Sequence, residues 1–328
     1  MIKGEKILDV SGLCVDIVNS RQAIQVVNNV AFNIAAGEAV ALVGESGSGK
    51  TLTALSILGL LPSAAKVSGS IKYREQELVG MKPSALNAIR GKDIAIVFQE
   101  PMSSLNPAFT VGEQIGETLR HHLGLSNKAA RERTIDLLAM VGIPGPAARV
   151  DDYPHTFSGG MLQRVGIAMA LSCEPDLLIA DEPTTALDAT VQAQVLELLA
   201  SLKEKLGTSL LFLTHDLGAV ASLCDRAIVM YCGQIVEDSS TDALFDRPLH
   251  PYTEGLLGAM ARLDRKDDPT PIKGTVPLPV HFPKGCRFNP RCNYVEQPCV
   301  DNQIAEAIID QRGVRCRRAN ELTLRGSL

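Results

Sequence analysis

The sequence predicts an α/β protein built on a parallel sheet, and three short apolar runs carry this prediction. AVALV at Ala39–Val43, LLIAD at Leu177–Asp181 and LLFLT at residues 210–214 are rich in branched aliphatic residues, as strands buried on both faces are. From about residue 165 to 240 such runs alternate with segments of helical spacing, which is typical of βαβ units.

Composition excludes several classes of protein. The 328 residues favour about two domains. The formal net charge of −5 gives no overall basic field that would draw the chain to nucleic acid or anionic lipid. No apolar run reaches the roughly 18 residues of a membrane helix, and MIKGEKILDV lacks a signal-peptide core. We therefore expect a cytoplasmic protein with reduced thiols.

A glycine-rich loop, VGESGSGKT at residues 43–51, follows the first strand. It fits G-x-x-x-x-G-K-[ST] between a strand and a predicted helix, the context that a phosphate-binding loop requires. Glycine lets backbone N–H groups approach a phosphate, and the helix N-terminus adds partial positive charge. The lysine suits the β- and γ-phosphates, and the threonine hydroxyl suits Mg²⁺. The residues expected to bind nucleotide are Gly44, Glu45, Ser46, Gly47, Ser48, Gly49, Lys50 and Thr51.

Two acids end the second strand. Asp181 is placed to hold Mg²⁺ through water. Glu182 should point to the opposite side of the pleat, a position that suits a residue polarising an attacking water. Together with the glycine-rich loop, these acids predict a nucleoside triphosphatase.

The segment before these acids resembles ATP-binding cassette (ABC) proteins. FSGGMLQRVGIAMALSCEPDLLIADEPTTALD, residues 157–188, is similar to the family's signature, its helix, the Walker B strand and the D-loop. Ser158, Gly159 and Gly160 precede a predicted helix at residues 161–171 and form a second anion site. The resemblance implies that this site acts on ATP held by an opposite subunit, and hence a dimer with two shared ATP sites.

Three further motifs appear in the family's order. Gln99 in IVFQEPMSSLNP matches the Q-loop, which contacts Mg²⁺ and water. Leu187 and Asp188 match the D-loop, and His215 matches the switch histidine. The resemblance therefore implies catalytic roles for Glu182, His215 and Gln99.

The chain departs from the family pattern at two places. Met161 replaces the usual glutamine after the signature glycines, and Gln163 follows two residues later. No aromatic residue lies between Gly12 and Ala31, where the family usually stacks one on adenine. Ile17, Val18 and Ile24 are the remaining candidates for an apolar wall beside the base.

The end of the chain narrows the resemblance to the dipeptide, oligopeptide and nickel importer branch. RPLHPYTEGLLGAM and KGCRFNPRC are similar to segments of that branch, and a proline-rich predicted linker at residues 267–283 separates them. The resemblance implies an ATPase core at residues 1–98 and 165–245, a helical subdomain at 99–164 and a C-terminal extension at 246–328. It also implies a second, often non-identical ATPase, two membrane subunits above them and an extracytoplasmic solute-binding protein. The chain would lie peripherally on the cytoplasmic face of the membrane.

Four of the eight cysteines fall in the last part of the chain. Their gaps contain no CxxC pair of the kind that structural zinc sites use, whereas thiolates with longer gaps suit an iron–sulfur cluster. The resemblance implies a [4Fe–4S] cluster on them, with zinc and free thiols as the alternatives. These four residues are Cys286, Cys292, Cys299 and Cys316.

Two other functions are alternatives to a peptide importer ATPase. Soluble cassette proteins that act on nucleic acid or the ribosome usually have two cassettes or large insertions, and this acidic chain has one cassette. A regulatory module without turnover would not need Glu182 and His215. The sequence therefore favours ATP hydrolysis that powers import of di- or oligopeptides or a related solute.

Overall fold

The computed structural model describes residues 4–18, 22–100, 104–185, 187–260 and 270–327. Residues 101–103 of the predicted Q-loop segment and 267–269 of the predicted linker lie outside this part. The chain divides into two compact units. The first contains residues 1–7, 34–38 and 80–212, and the second contains residues 8–33, 39–79 and 213–328.

A four-stranded sheet with the order β2-β1-β4-β5 belongs mainly to the second unit. β1 and β4 pair in antiparallel fashion with a register shift between Ser11 and Cys14. The strands of this four-stranded sheet are β1 (Lys6–Val18), β2 (Ala23–Ala35), β4 (Ala65–Tyr73) and β5 (Gln76–Glu77).

The second unit also contains the strand that leads into the glycine-rich loop. β3 (Ala39–Val43) is buried along its whole length and pairs in parallel with β9 (Arg226–Tyr231). β10 (Gln234–Ser240) returns antiparallel to β9 after a turn at Gly233. β12 (Arg312–Val314) pairs antiparallel with β10, and β11 (Ala307–Ile309) with β12.

The first unit contains the strand that ends in the two acids. β6 (Ile94–Val97) pairs in parallel with β7 (Leu177–Asp181), with Ile94 opposite Leu177. β8 (Ser209–Thr214) is buried throughout and crosses the sequence boundary between the units after Phe212. These runs are the apolar strands that the sequence predicts, and the α/β class is confirmed.

Helices follow the strands in both units. The second unit contains α1 (Lys50–Ile57), α8 (Leu217–Leu223), α9 (Thr241–Asp246), α10 (Pro251–Gly258) and α11 (Gln297–Asp301). The first unit contains α2 (Pro83–Ile89), α3 (Val111–Leu123), α4 (Asn127–Met140), α5 (Pro146–Arg149), α6 (Gly159–Ala170) and α7 (Ala189–Leu206). Single 3₁₀ turns occur at Pro154–Thr156, Pro279–His281 and Asn289–Arg291.

Side-chain caps explain where four helices of the first unit begin. Each cap oxygen accepts a hydrogen bond from a backbone N–H of the first turn, which satisfies a donor that the helix itself leaves unpaired. The caps of α3, α4, α6 and α7 are Thr110, Ser126, Ser158 and Asp188. Two of the predicted site residues therefore have a local structural role as well.

Across the described residues, no helix combines the length and the apolar character that crossing a membrane requires.

Candidate functional site

The glycine-rich loop of the second unit holds its lysine in a buried position. Lys50 is 5% exposed, and its Nζ donates to the carbonyl oxygens of Gly44 at 2.7 Å and Glu45 at 3.3 Å. A Cβ added at Gly44 would lie 2.3 Å from the Met230 carbonyl oxygen, so only glycine fits there. Gly49 caps α1 with φ of 103°, in the left-handed region that favours glycine. The loop is thus a narrow turn, and the Lys50 ammonium lies across it, bonded to two of its carbonyl oxygens.

The loop residues fit a phosphate ligand. Ser48 Oγ is buried and lacks a hydrogen-bond partner among the described residues. Carbonyl oxygens are neutral acceptors, so a phosphate would offer Lys50 a stronger, charge-assisted partner. The helix N-terminus at Lys50 adds the partial positive charge that favours an anion. The sequence prediction of a phosphate-binding loop therefore has a matching geometry in the second unit.

The acids of the first unit follow a buried strand. Asp181 is the last residue of β7 and is 4% exposed. Glu182 has φ of 45°, in the left-handed region, so pleat alternation does not set its direction as the sequence argument assumed. Its Oε2 accepts from Gln99 Nε2 at 3.3 Å and from Thr185 Oγ1 at 3.0 Å. The structure thus brings Gln99 and Glu182 together and adds Thr185, which the sequence argument missed.

The signature residues lie at the N-terminus of α6. Ser158 is exposed, and its hydroxyl accepts from Met161 N at 3.3 Å. Gly159 is exposed as well, and a Cβ added at Gly160 would lie 2.7 Å from Val191 Cγ1. This helix end can face a ligand in solution, as an anion site requires.

Gln163 does not replace the glutamine that is absent from position 161. It is buried at 1% exposure, so its amide faces the protein interior, whereas Met161 is partly exposed. The D-loop residue Asp188 is exposed, and its carboxylate accepts from Thr190 N and Val191 N at the start of α7.

His215 lies in the second unit, directly after β8 and before α8. Its side chain is exposed, and Asp216 caps α8 through Gly218 N at 2.8 Å. The strand-end position agrees with the expectation from the sequence.

Two residues that the sequence argument did not assign contact the loop. Arg291 donates to both carboxylate oxygens of Glu45, at 2.6 and 3.0 Å. Tyr252 Oη accepts from the Glu45 N–H at 2.9 Å. Because these partners are more than 200 positions away from Glu45, no local pattern in the sequence could have indicated them.

The iron–sulfur prediction for the four late cysteines is wrong. Among the described residues, no three histidine, cysteine, aspartate or glutamate side chains are arranged to hold a metal ion, which removes zinc as well. The four cysteines line one cavity of about 20 Å³, enough for about one water. Burial raises the pKa of Cys286 to about 11 and of Cys316 to about 12, so both are neutral thiols at pH 7.

The nearby arginines have partners other than the thiols. Besides the pairing of Arg291 with Glu45, Arg318 pairs with Glu296 and Glu321. Arg315 donates to the carbonyl oxygens of Ile235 and Ile304. These arginines therefore pair with carboxylates and backbone carbonyl oxygens.

Comparison with protein families gives two matches. Residues 27–185 match the ABC transporter model, and residues 236–299 match the model of the oligopeptide/dipeptide transporter C-terminal region.

Three curated relatives are similar over most of the chain. The chain is 51% identical to the oligopeptide transport ATP-binding protein AppD of Bacillus subtilis, over 90% of this chain and 92% of the relative. It is 49% identical to the dipeptide transport ATP-binding protein DppD of Bacillus subtilis, over 88% and 87%. Its identity to DppD of Haemophilus influenzae is 45%, over 94% of each chain.

Solved structures agree in fold. The ATP-binding cassette MJ0796, a dimer in a post-hydrolysis state bound to ADP and Pi, has a TM-score of 0.64 and 27% identity, over 71% of this chain and 98% of that one. CbiO1 of Clostridium perfringens, part of the ABC transporter complex cbiONQ, has a TM-score of 0.62 and 28% identity, over 74% and 91%. With half of the residues identical across nine tenths of AppD, the chain belongs to the ATP-hydrolysing ABC transporter family, in the branch with the oligopeptide/dipeptide transporter C-terminal region.

Proposed function

We propose that the chain is the ATP-hydrolysing subunit of a membrane importer for di- or oligopeptides or a related solute. The observation that carries the proposal is the near full-length similarity to AppD and DppD, which are named as oligopeptide and dipeptide transport ATP-binding proteins. The match to the oligopeptide/dipeptide C-terminal region supports the peptide class over the soluble cassette alternative.

The phosphate loop binds the triphosphate in this proposal. Lys50 contacts the β- and γ-phosphates once it leaves the carbonyl oxygens of Gly44 and Glu45. Bound with the nucleotide, Mg²⁺ neutralises charge on the phosphate oxygens. Thr51, Asp181 and Gln99 would hold it, because hydroxyl, carboxylate and amide oxygens are the ligands that Mg²⁺ prefers.

Glu182 polarises the attacking water. Its carboxylate accepts a hydrogen bond from the water, which attacks the γ-phosphorus as ADP leaves. The contacts from Gln99 and Thr185 to Glu182 Oε2 hold the carboxylate in one orientation. His215, exposed at the end of β8, braces the γ-phosphate.

Two chains complete each ATP site. Ser158, Gly159 and Gly160 present the N-terminus of α6 to the nucleotide of an opposite ATPase subunit, and Asp188 belongs to the same shared surface. The dimeric structure of the cassette MJ0796 supports this arrangement.

The full assembly contains further subunits. The second ATPase is a non-identical relative, two permease subunits lie in the membrane, and an extracytoplasmic protein delivers the solute. The chain is peripheral on the cytoplasmic face. Within it, residues 1–98 and 165–245 form the ATPase core, 99–164 the helical subdomain and 246–328 a cysteine-containing C-terminal extension.

Affinity purification of the full chain from membranes tests this proposal. We expect two membrane subunits and a second ATPase to co-purify. In proteoliposomes, peptide with its binding protein should stimulate ATP hydrolysis, and Glu182→Gln should abolish the stimulated rate. Recovery with ribosomes or nucleic acid, without membrane subunits, would instead support the soluble alternative.

A further inference from the structure

A buried arginine of the C-terminal segment reaches the phosphate loop. Arg291 lies in the 3₁₀ turn Asn289–Arg291, and its side chain is 3% exposed. It donates to both carboxylate oxygens of Glu45, at 2.6 and 3.0 Å. A bidentate pair of this kind fixes the direction of both partners, and burial shields it from salt.

Arg291 has two further partners. Its Nε donates to the Lys273 carbonyl oxygen at 3.0 Å, and Nη1 is 3.5 Å from Tyr231 Oη. Burial by itself lowers the pKa of the guanidinium, but the hydrogen bonds to Glu45 and Tyr231 outweigh it and raise the pKa above its ordinary value. Arg291 therefore stays positively charged, and its guanidinium contacts the loop through Glu45.

Glu45 is held at a second point. Its backbone N–H donates to Tyr252 Oη at 2.9 Å, and Tyr252 is fully buried. Tyr252, Tyr231 and Phe288 pack together with ring centroids 4.6 to 5.3 Å apart. Both the side chain and the backbone of this one loop residue are thus attached to a rigid aromatic cluster.

The contact continues from Glu45 to the phosphate-binding lysine. The Glu45 carbonyl oxygen lies 3.3 Å from Lys50 Nζ. A loop that must place several N–H groups and one ammonium around a phosphate loses affinity if its backbone is free to move, because ordering it on binding costs entropy. Holding Glu45 in place removes part of that cost.

We propose that Arg291 is a positioning residue for the nucleotide: by fixing Glu45, the C-terminal segment keeps the phosphate loop in its binding conformation. The inference rests on the proposed ATP site and adds a dependence of ATP affinity on the C-terminal segment. Arg291 acts through Glu45 and has no direct contact with the nucleotide.

Calorimetric titration of the full chain with MgADP tests this role. Arg291→Met should weaken binding by about tenfold, the lower end of the range seen when a residue that orients a metal ligand is removed. Arg291→Lys keeps the charge but not the bidentate geometry, and should give an intermediate loss. Arg247→Met is the matched control, because it removes an exposed arginine–carboxylate pair with Asp310 in the same segment. We expect wild-type affinity for it.

A double-mutant cycle separates positioning from general damage. If Arg291 acts through Glu45, the loss in Glu45→Gln/Arg291→Met should be smaller than the product of the two single losses. In the assembled transporter, the KM for ATP should rise while kcat stays within about twofold, since binding and not chemistry is affected.

The titrations and the double-mutant cycle can each overturn the proposal. Wild-type MgADP affinity in folded Arg291→Met, or fully additive losses in the cycle, would overturn it. If Arg291→Met fails to fold, Glu45→Gln decides, because Glu45 is 30% exposed and its replacement removes no side chain from the aromatic cluster of Tyr252, Tyr231 and Phe288. Unchanged affinity in that variant would equally overturn the proposal. Wild-type protein that binds MgADP when Lys50→Ala does not would show that the nucleotide site itself stands.

Discussion

The phosphate loop and the Glu182 carboxylate are held in place by different kinds of contact. In the second unit, Lys50 is buried, and Glu45 is held by a bidentate arginine that is 3% exposed and by a buried tyrosine. In the first unit, the carboxylate of Glu182 accepts hydrogen bonds from the neutral side chains of Gln99 and Thr185. Charge-assisted buried contacts constrain more strongly than neutral, partly exposed ones.

The backbone shows the same contrast. Glycine supplies the left-handed conformation at Gly49, where it costs little, whereas the non-glycine residue Glu182 adopts it with φ of 45°. A left-handed residue other than glycine costs roughly 1–2 kcal/mol. The difference indicates that the proposed phosphate-binding loop of the second unit is preformed, whereas the proposed catalytic residue Glu182 of the first unit has a mildly strained backbone.

The largest expected effect separates hydrolysis from binding. Glu182→Gln should reduce single-turnover hydrolysis by about 10²–10⁴-fold, the usual contribution of a positioned general base. The amide cannot polarise water as the carboxylate does. Quenched-flow measurement of phosphate release would check this.

Glu204→Gln is a suitable control for the first variant, because it removes an exposed carboxylate from α7 in the same unit. Turnover of Glu182→Gln close to that of the control would contradict the role of Glu182.

A change in the second unit should produce the reverse pattern. Lys50→Ala removes a charge-assisted contact worth about 1.5–3 kcal/mol, so nucleotide affinity should fall by about 10- to 150-fold. Calorimetry with MgADP measures this directly. Lys205→Ala is the control, because Lys205 is an exposed lysine in the last turn of α7, and it should leave affinity unchanged. Equal affinity in Lys50→Ala and wild type would contradict the preformed loop.

The rigid cluster below the loop should be sensitive to acid. His250 is 1% exposed, its Nδ1 accepts from Tyr252 N at 3.0 Å, and its backbone N–H donates to Glu237 Oε2. Burial, with a smaller contribution from the Arg315 charge, lowers the pKa of His250 from its usual 6.5 to about 3. Between these values the unfolded chain binds a proton that the folded chain excludes.

The free energy of unfolding should therefore fall as pH drops from 6.5 towards 3, by up to about 1.4 kcal/mol per pH unit from this residue. Urea unfolding at several pH values would measure the slope. His250→Asn keeps a capping acceptor and should flatten it, whereas His155→Asn, at an exposed position, should not. An unchanged slope in His250→Asn would contradict the assignment.

The smallest expected effect concerns the base of the nucleotide. Ile17, Val18 and Ile24 are partly exposed aliphatic residues where the family usually places an aromatic. Aromatic stacking is worth about 0.5–1.5 kcal/mol, so without it ATP and GTP should bind within a few-fold of each other. Competition titrations would show this, and Ile17→Tyr should raise the affinity for ATP. A strong preference of the wild-type chain for ATP would mean that another residue contacts the base.

The sequence was most informative where structure is local. Buried strands such as Ala39–Val43, the loop that follows it and the caps Ser158 and Asp188 all depend on neighbouring residues, so short patterns predict them. The contact of Arg291 with Glu45 could not be predicted, because it joins residues 246 positions apart and depends on how the chain folds back.

One prediction failed, and one argument lost its premise, each for a physical reason. The cysteine spacing suggested a metal site, but spacing does not fix distances between side chains. In the structure the four partly exposed cysteines line a cavity that holds about one water, and desolvation raises the pKa of Cys286 and Cys316. The pleat argument for Glu182 assumed that the strand continues, whereas β7 ends at Asp181 and the next residue turns into the left-handed region.

The most direct test of the contrast between the two units is the MgATP affinity of Glu182→Gln. Calorimetry would measure MgATP binding to this variant and to the wild-type chain, with MgADP binding to both as the reference. If binding is preformed in the second unit, the variant should bind MgATP with an affinity within about twofold of the wild-type value while its hydrolysis is lost. A loss of MgATP affinity of tenfold or more in this variant would contradict the account, because binding would then depend on the hydrolytic carboxylate of the first unit.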